Sequence, residues 1–408
     1  MRSPPTVAQV EPYRWVVEGV LLLLQFAMGL SFLAVAPLFP LIIDDFGVSR
    51  ASASLLVGGT ALGVALALIP CSIVAARMGT RASLGVAGAL MSVMALTPLV
   101  GSFSLLLAAR ITFAVGGAMT LTATAPVIMR WFPPRELPMV NGINVVAQSL
   151  GVTISMVIAP RLAVVVGWER TLFAFGCVTV IATLAWLVLA RDPAGTGRDQ
   201  LAAFHLGDLA SALRSRPTVL LGLGMAGALG ANVSFGSWLP TYYNEAFGFS
   251  LEKAGAVASV LALFGIVGSL LGSTLPVRFP RRRPFLIVAG LLMPITAIGA
   301  YATSSPAVLY PSLALFGVVS WVFIPVVFTI PMELPGMTPE RVGVTTAVVL
   351  CLGNLSGFVA PLVVGAVRDA TGAFALGLTV VSLLAASLAV AGWLMPETGT
   401  PIATEAGV

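Results

Sequence analysis

Apolar runs of about 20 residues, separated by short polar loops, fill almost the whole sequence. A helix of that length crosses the ~30 Å hydrocarbon core of a bilayer, because each residue adds about 1.5 Å. Only 9% of the residues are charged, whereas about a quarter are charged in soluble proteins. We therefore predict an all-α integral membrane protein with twelve transmembrane helices, numbered span 1 to span 12. They are expected near residues 16–40, 51–75, 82–101, 104–129, 140–164, 171–190, 217–241, 251–275, 284–303, 307–331, 342–366 and 373–395.

The one long polar interruption lies at residues 191–216. Pro193 follows an Arg-Asp pair there, and a proline after two charges ends a membrane helix. Residues 208–213 have amphipathic helical spacing, which predicts a short helix along the membrane surface. The predicted organisation is a six-helix bundle over residues 1–190, a cytoplasmic linker over residues 191–216 and a second six-helix bundle over residues 217–408.

The two halves of the sequence resemble each other at a constant shift of 201 residues. Gly47 at the end of span 1 corresponds to Gly248 at the end of span 7, and each is followed two residues later by a serine. Pro160 and Pro361 correspond at the same shift. Two parallel six-helix repeats, with a binding site between them at the membrane midplane, are typical of transporters.

The loop after span 2 carries a recognisable motif at residues 72–81. It is similar to the G-x-x-x-D-R-x-G-R-R signature of the major facilitator superfamily, with Arg77, Gly79 and Arg81 at matching positions and Ala76 in place of the aspartate. The chain therefore resembles a member of that superfamily. The resemblance implies two pseudo-symmetric six-helix bundles and transport by alternating access.

A second copy of this motif follows span 8 and retains Arg278, Arg281 and Arg282, while a valine replaces the acid. In the family the aspartate of this motif helps to latch the cytoplasmic side of the carrier, and both copies here lack that aspartate. The resemblance therefore implies a coupling or gating role for the matching arginines of both copies and for Gly79.

Two further motifs bear on the branch of the superfamily. Span 4 resembles the R-x-x-x-G-x-G pattern in Arg110 and Gly116, with an alanine for the first glycine. The Trp-Phe-Pro-Pro-Arg-Glu segment at residues 131–136 resembles a loop found in the organic-anion symporters and in the cyanate, nitroimidazole and nitrate porters. This likeness to both groups is loose.

The positive charges indicate the orientation of the chain. Most of the 21 basic residues lie in loops on the same side of the membrane as the N-terminus. This predicts that both termini are cytoplasmic. The predicted location is the plasma membrane, which is the inner membrane in a bacterium. Because these residues are scattered between apolar spans, they indicate contact with the lipid bilayer and no nucleic-acid partner. Cys71, Cys177 and Cys351 lack the spacing of a metal site, so we predict no metal or cofactor.

Two ionisable residues inside predicted spans are candidates for function, because a charge in the membrane costs several kcal/mol. Arg110 in span 4 either bonds to neighbouring helices or acts in transport, by contacting substrate or controlling protonation. Glu18 in span 1 either sits among lipid headgroups or binds a transported proton.

Amide and aromatic side chains in the spans form a second group of candidates. Buried amides need partners where there is no bulk water, so each either joins two helices or lines a binding cavity. The aromatic residues could line the same cavity, although those of span 7 also suit an aromatic belt at the membrane surface. With Arg110, the candidate substrate-binding residues are Gln25, Asn144, Gln148, Asn232, Trp238, Tyr242, Trp321 and Asn354.

These features favour a carrier over the other classes of membrane protein. The sequence contains no motif of hydrolases, metalloproteases or nucleotide-binding enzymes, and no ring of charges or filter of a channel. A lipid-processing enzyme and a channel are therefore disfavoured. Since no Asp or Glu is predicted deep inside a span, an anionic or neutral small organic solute is favoured, and a proton carried with it stays open. The alternative is a multidrug or metabolite efflux carrier; in either case we predict a monomer.

Overall fold

A computed structural model describes residues 12–133, 136–191, 214–279, 281–337 and 339–398. Twelve of its helical segments are long and apolar enough to cross a membrane, which confirms the predicted number of spans. The predicted surface helix at residues 208–213 lies outside the described residues.

Eight spans are single helices and four are interrupted. The single helices are Arg50–Met78, Phe103–Trp131, Leu137–Val166, Trp168–Leu189, Arg216–Phe247, Leu251–Arg278, Arg283–Ala302 and Pro339–Thr371, which form spans 2, 4 to 9 and 11. Span 1 consists of Tyr13–Phe32, a short 3-10 turn at Ala36–Leu38 and Phe39–Phe46. Span 3 continues from Thr80–Met91 into the 3-10 helix Ser92–Leu99, span 10 consists of Pro306–Val322 and Ile324–Glu333, and span 12 of Ala375–Leu384 and Ser387–Leu394.

The ends of spans 1 and 7 show the sequence repeat as local structure. Gly47 and Gly248 both have positive φ angles, 62° and 64°, which glycine adopts at little cost and which end a helix. Two residues later, Ser49 accepts a hydrogen bond from the Ser52 amide at 3.1 Å, so its side chain caps span 2. Ser250 accepts one from the amide three residues on at 3.3 Å and caps span 8. The same residues therefore make the same turn in both halves.

The described residues divide into two compact units. The first comprises the residues before 192 together with Asn244–Ser259, and the second comprises the remainder. Hence the end of span 7 and the start of span 8 pack with the first half of the sequence. The predicted bundle boundaries at residues 190 and 217 stay a prediction.

Glycines allow the closest helix contacts within each unit. In the first unit, a Cβ on Gly29 of span 1 would overlap the Gln148 carbonyl of span 5. In the second, a Cβ on Gly230 of span 7 would overlap the Ser356 hydroxyl of span 11. Gly29 and Gly230 correspond at the 201-residue shift, so both repeats use a glycine at the same place to bring their first and fifth helices together.

The start of span 9 is tied to two other parts of the second unit. The Glu397 carboxylate accepts hydrogen bonds from the backbone N–H groups of Arg282 and Arg283, at 2.6 and 3.2 Å. A carboxylate there satisfies amides that lack partners in the helix and complements the positive end of its dipole. The Arg282 guanidinium also pairs with Glu333 at 2.7 Å.

Candidate functional site

Arg110 is completely buried and bonded to backbone carbonyls of two neighbouring spans. Its Nε donates to the Leu56 carbonyl of span 2 at 2.8 Å, and its terminal nitrogens donate to the Ser31 and Phe32 carbonyls of span 1 at 2.8 and 2.6 Å. Ser31 and Phe32 form the last turn of Tyr13–Phe32, where helix carbonyls lack partners of their own. Of the two roles left open by the sequence, these contacts are those of a helix-bonding residue.

Glu18 and Asn144 form a buried pair that joins spans 1 and 5. Asn144 donates from Nδ2 to Oε1 of Glu18 at 2.6 Å and to the Val140 carbonyl at 3.0 Å. The side chains are 2% and 3% exposed, respectively. The headgroup location considered for Glu18 is therefore wrong, because its carboxylate is enclosed by protein. The nearest basic residue along the helix, Arg14, pairs with Glu136 at 3.0 Å.

Gln25 lies two helical turns after Glu18 on span 1, on the same side of the helix. It is 4% exposed and donates from Nε2 to the Thr124 hydroxyl of span 4 at 2.9 Å. Three buried oxygens of these side chains, Oε2 of Glu18, Oε1 of Gln25 and Oδ1 of Asn144, have no hydrogen-bond partner among the described residues. Since buried polar atoms are nearly always bonded, these oxygens of spans 1 and 5 are acceptors for the donors of a solute or of water.

Spans 1 and 7 carry a second matched pair of polar positions. Ser31 and Asn232 correspond at the 201-residue shift, and each has a buried polar atom without a described partner, Oγ of Ser31 and Nδ2 of Asn232. Sequence reasoning selected Asn232 and missed Ser31, although the shift relates them. It also missed Thr124, since one threonine among many in the spans carries no distinguishing signal. Gln148 is half-buried beside the contact with Gly29.

The aromatic candidates of span 7 are structural. Trp238 is fully buried and donates from its indole nitrogen to the Pro361 carbonyl at 2.9 Å. Tyr242 is 9% exposed and donates to the Tyr301 carbonyl at 2.7 Å, and the neighbouring Tyr243 donates to the Ala300 carbonyl at the same distance. An aromatic belt at the membrane surface is therefore the wrong interpretation, because these rings lie inside the second unit and join spans 9 and 11 to span 7.

The other two candidates of the second unit are less deeply buried. Trp321 of span 10 is half-buried, and its ring lies where a Cβ on Gly265 of span 8 would be, so it packs at a close helix contact. Asn354 of span 11 is half-buried and donates to the Leu350 carbonyl of its own helix at 2.9 Å. Most of the buried polar atoms among the candidates thus belong to the first unit, and Asn232 supplies one in the second.

The arginines of the two signature copies differ in their contacts. Arg81 donates to the Leu187 carbonyl at 3.0 Å, after the left-handed turn at Gly79, whose φ is 85°. Arg282 pairs with Glu333. By contrast, Arg77, Arg278 and Arg281 are exposed and form no hydrogen bond or ion pair with the part of the chain that the structure describes. A gating role for these arginines and for Gly79 stays a prediction.

Comparisons with known proteins match this chain to one family and to transporters. A family model described as Major Facilitator Superfamily matches residues 21–361. A protein of Escherichia coli (strain K12) described as a probable L-galactonate transporter is 26% identical over 385 residues, which cover 85% of this chain and 82% of that relative. The hexuronate transporter of Bacillus subtilis (strain 168) is 24% identical over 396 residues, covering 90% of this chain and 91% of the relative.

A solved structure has the same fold. It is a bacterial homologue of the human lysosomal transporter Spinster in an inward-facing, unoccupied conformation. It has a TM-score of 0.75 and 20% identity, and the match covers 94% of this chain and 98% of that one. The predicted fold class, an all-α membrane protein with twelve transmembrane helices, is confirmed.

Proposed function

Because the chain belongs to the Major Facilitator Superfamily and is a transporter of a small organic solute rather than an enzyme, we propose that it carries a sugar acid, a polyhydroxylated carboxylate, by secondary transport. Two of the relatives that match it over most of their length are named for L-galactonate and for hexuronates. Both names denote small anions rich in hydroxyl groups, and the sequence favoured an anionic or neutral solute.

The observation that carries this proposal is the set of three unpartnered oxygens on Glu18, Gln25 and Asn144. Hydroxyl groups donate hydrogen bonds, and a polyhydroxylated solute presents several donors on one small skeleton. A lipophilic cation offers few such donors and would leave most of these acceptors unsatisfied. These three acceptors therefore support a sugar-like substrate over a lipophilic drug.

The substrate carboxylate explains why we also propose proton coupling. Arg110 donates to three carbonyls, so it is not a free positive charge for an anion. An ionised Glu18 would repel the anion, whereas a protonated Glu18 removes that repulsion and gains an O–H donor. Binding of the anion and of a proton would then favour each other, and that is the requirement for symport.

The remaining parts of the proposal concern the setting of the carrier. We propose that the protein works as a monomer in the inner membrane of a bacterium, with both termini in the cytoplasm, since the basic residues collect on that side. Transport would proceed by alternating access, in which each repeat supplies part of the moving structure.

A substrate screen tests the proposal directly. Purified protein is heated with galactonate, glucuronate, the uncharged parent sugars, aromatic acids or lipophilic cations, and the unfolding midpoint is measured. We expect the sugar acids to raise the midpoint most, since a ligand stabilises the state that binds it. Stabilisation by a lipophilic cation alone would contradict the proposal and support the efflux carrier.

Replacing Glu18→Gln tests the coupling. Glutamine keeps an oxygen for the Asn144 amide but cannot exchange a proton, so uptake driven by a pH gradient into proteoliposomes should be lost while exchange of labelled for unlabelled sugar acid continues. Glu252→Gln, the same change at an exposed carboxylate of span 8, is the matched control. Continued gradient-driven accumulation in Glu18→Gln would show that the proton is carried elsewhere.

A further inference from the structure

The second unit has an apolar groove on its outer surface, formed by spans 8, 9 and 10. Its volume is about 510 Å³, and its walls include Leu275, Phe285, Val288, Ala289, Val319 and Val322. Val288 is exposed, as are Leu291 and Ile295 on the same side of span 9. In a protein with twelve membrane spans, such an exposed apolar surface faces lipid. The groove is therefore open to the bilayer.

One end of the groove is positively charged. Phe279 and Arg281, between spans 8 and 9, line it at that end, and Arg278 directly precedes Phe279. Arg278 and Arg281 are exposed and have no ion-pair partner in the described ranges. The neighbouring Arg282 and Arg283 differ, because the first pairs with Glu333 and the second donates to the Gly392 and Trp393 carbonyls.

We propose that this groove binds an anionic phospholipid of the surrounding bilayer, with an acyl chain along the apolar walls and the phosphate at Arg281, next to the exposed Arg278. The chemistry of the ligand follows from the two parts of the site. The walls match a hydrocarbon chain, and the guanidinium groups of Arg278 and Arg281 lie between the end of span 8 and the start of span 9. A loop between two membrane spans is expected at the level of the headgroups. Guanidinium groups recognise phosphate through two parallel hydrogen bonds.

Lipid binding is measured on the full-length protein in a neutral detergent, by native mass spectrometry with dioleoyl phosphatidylglycerol or dioleoyl phosphatidylcholine added. We expect tighter binding of the phosphatidylglycerol. Arg281→Gln should weaken it about fivefold, the effect of one basic residue at a lipid surface. Arg216→Gln, which removes an exposed arginine at the start of span 7, should leave it unchanged.

A second pair of variants tests the walls of the groove. Val288→Trp should fill the groove and reduce binding of both lipids, while Ile295→Trp, two turns along the same exposed face, should not. Equal binding of the two lipids would overturn the proposal. The proposal would also be overturned if Arg281→Gln and Arg216→Gln lost equal amounts of phosphatidylglycerol binding, or if Val288→Trp bound both lipids as tightly as the unchanged protein.

Discussion

Arg110 illustrates what one residue contributes to this fold. Span 1 is interrupted after Phe32, and the carbonyls of the helical turn before the interruption would lack donors in a place without bulk water. Arg110 reaches from span 4 and donates to two of them, and also to a carbonyl of span 2. The hydrogen bonds from the Arg110 guanidinium therefore allow span 1 to be interrupted inside the protein.

This role predicts how substitutions at Arg110 should behave. Arg110→Ala leaves the Ser31 and Phe32 carbonyls without the donors they have here, at about 1–3 kcal/mol each, whereas the Leu56 carbonyl still accepts from the Thr60 hydroxyl. Arg110→Lys cannot match the planar fork of guanidinium donors. Both variants should lower the unfolding midpoint, with Ala the more severe, while the KM of the folded fraction stays the same. A raised KM at unchanged stability would instead indicate that the guanidinium contacts substrate.

The sequence identified some of these residues but not their partners. A charge or an amide inside an apolar run requires a partner wherever the helix packs, which is why Arg110, Glu18, Gln25 and Asn144 could be selected from the sequence alone. Which carbonyl or side chain provides that partner depends on how helices distant in sequence pack. Asn144 lies 126 residues from Glu18, and only the fold shows that the two side chains meet.

At the level of the helices, apolar length predicted the spans and missed their interruptions. Hydropathy counts apolar residues over a window, and the residues around the interruption in span 10 are as apolar as the helices beside it. There Ile324–Glu333 begins just before Pro325, a residue that favours the first turn of a helix. The close approach of spans 1 and 5 has a clearer origin, in a glycine on span 1.

Gly29→Ala tests that close contact. The added Cβ would overlap the backbone of Gln148, so spans 1 and 5 would have to separate, at about 1–3 kcal/mol. Gly19→Ala is the matched control, because a Cβ at that position of the same helix meets no atom within 4 Å. The unfolding midpoint should fall for Gly29→Ala alone. A similar fall in both variants would mean that the flexibility of span 1, rather than the contact, matters.

For the whole molecule, the compact units do not coincide with the two sequence repeats. Arg50 at the start of span 2 pairs with Glu245 at the end of span 7 at 2.9 Å, and Gly255 of span 8 packs against the Met156 carbonyl of span 5. These contacts belong to the first unit, which thus contains residues from both repeats. A carrier that exposes its site alternately to two sides has to form and break some contacts between repeats in each cycle.

Reversing the Arg50–Glu245 ion pair tests whether it is such a contact. Glu245→Arg should bring two positive charges together and lower the transport rate by up to about fivefold, since partly exposed pairs contribute about 0.2–1 kcal/mol. The double variant Arg50→Glu, Glu245→Arg should restore the original rate. Glu252→Arg, with the same change of charge on an exposed residue nearby, is the control. If the double variant transports no faster than Glu245→Arg, the pair is not part of the cycle.

The hydrogen bonds from Arg282 and Arg283 to Glu397 affect how the protein can be handled in the laboratory. Purification tags and fluorescent fusions are commonly joined to the C-terminus, and flexible ends are commonly trimmed before crystallisation. Here a chain shortened by the residues from 397 onward would lose the carboxylate that caps span 9, so we expect poor yields and aggregation in size-exclusion chromatography. A fusion joined after residue 408 keeps the carboxylate and should behave like the untagged protein.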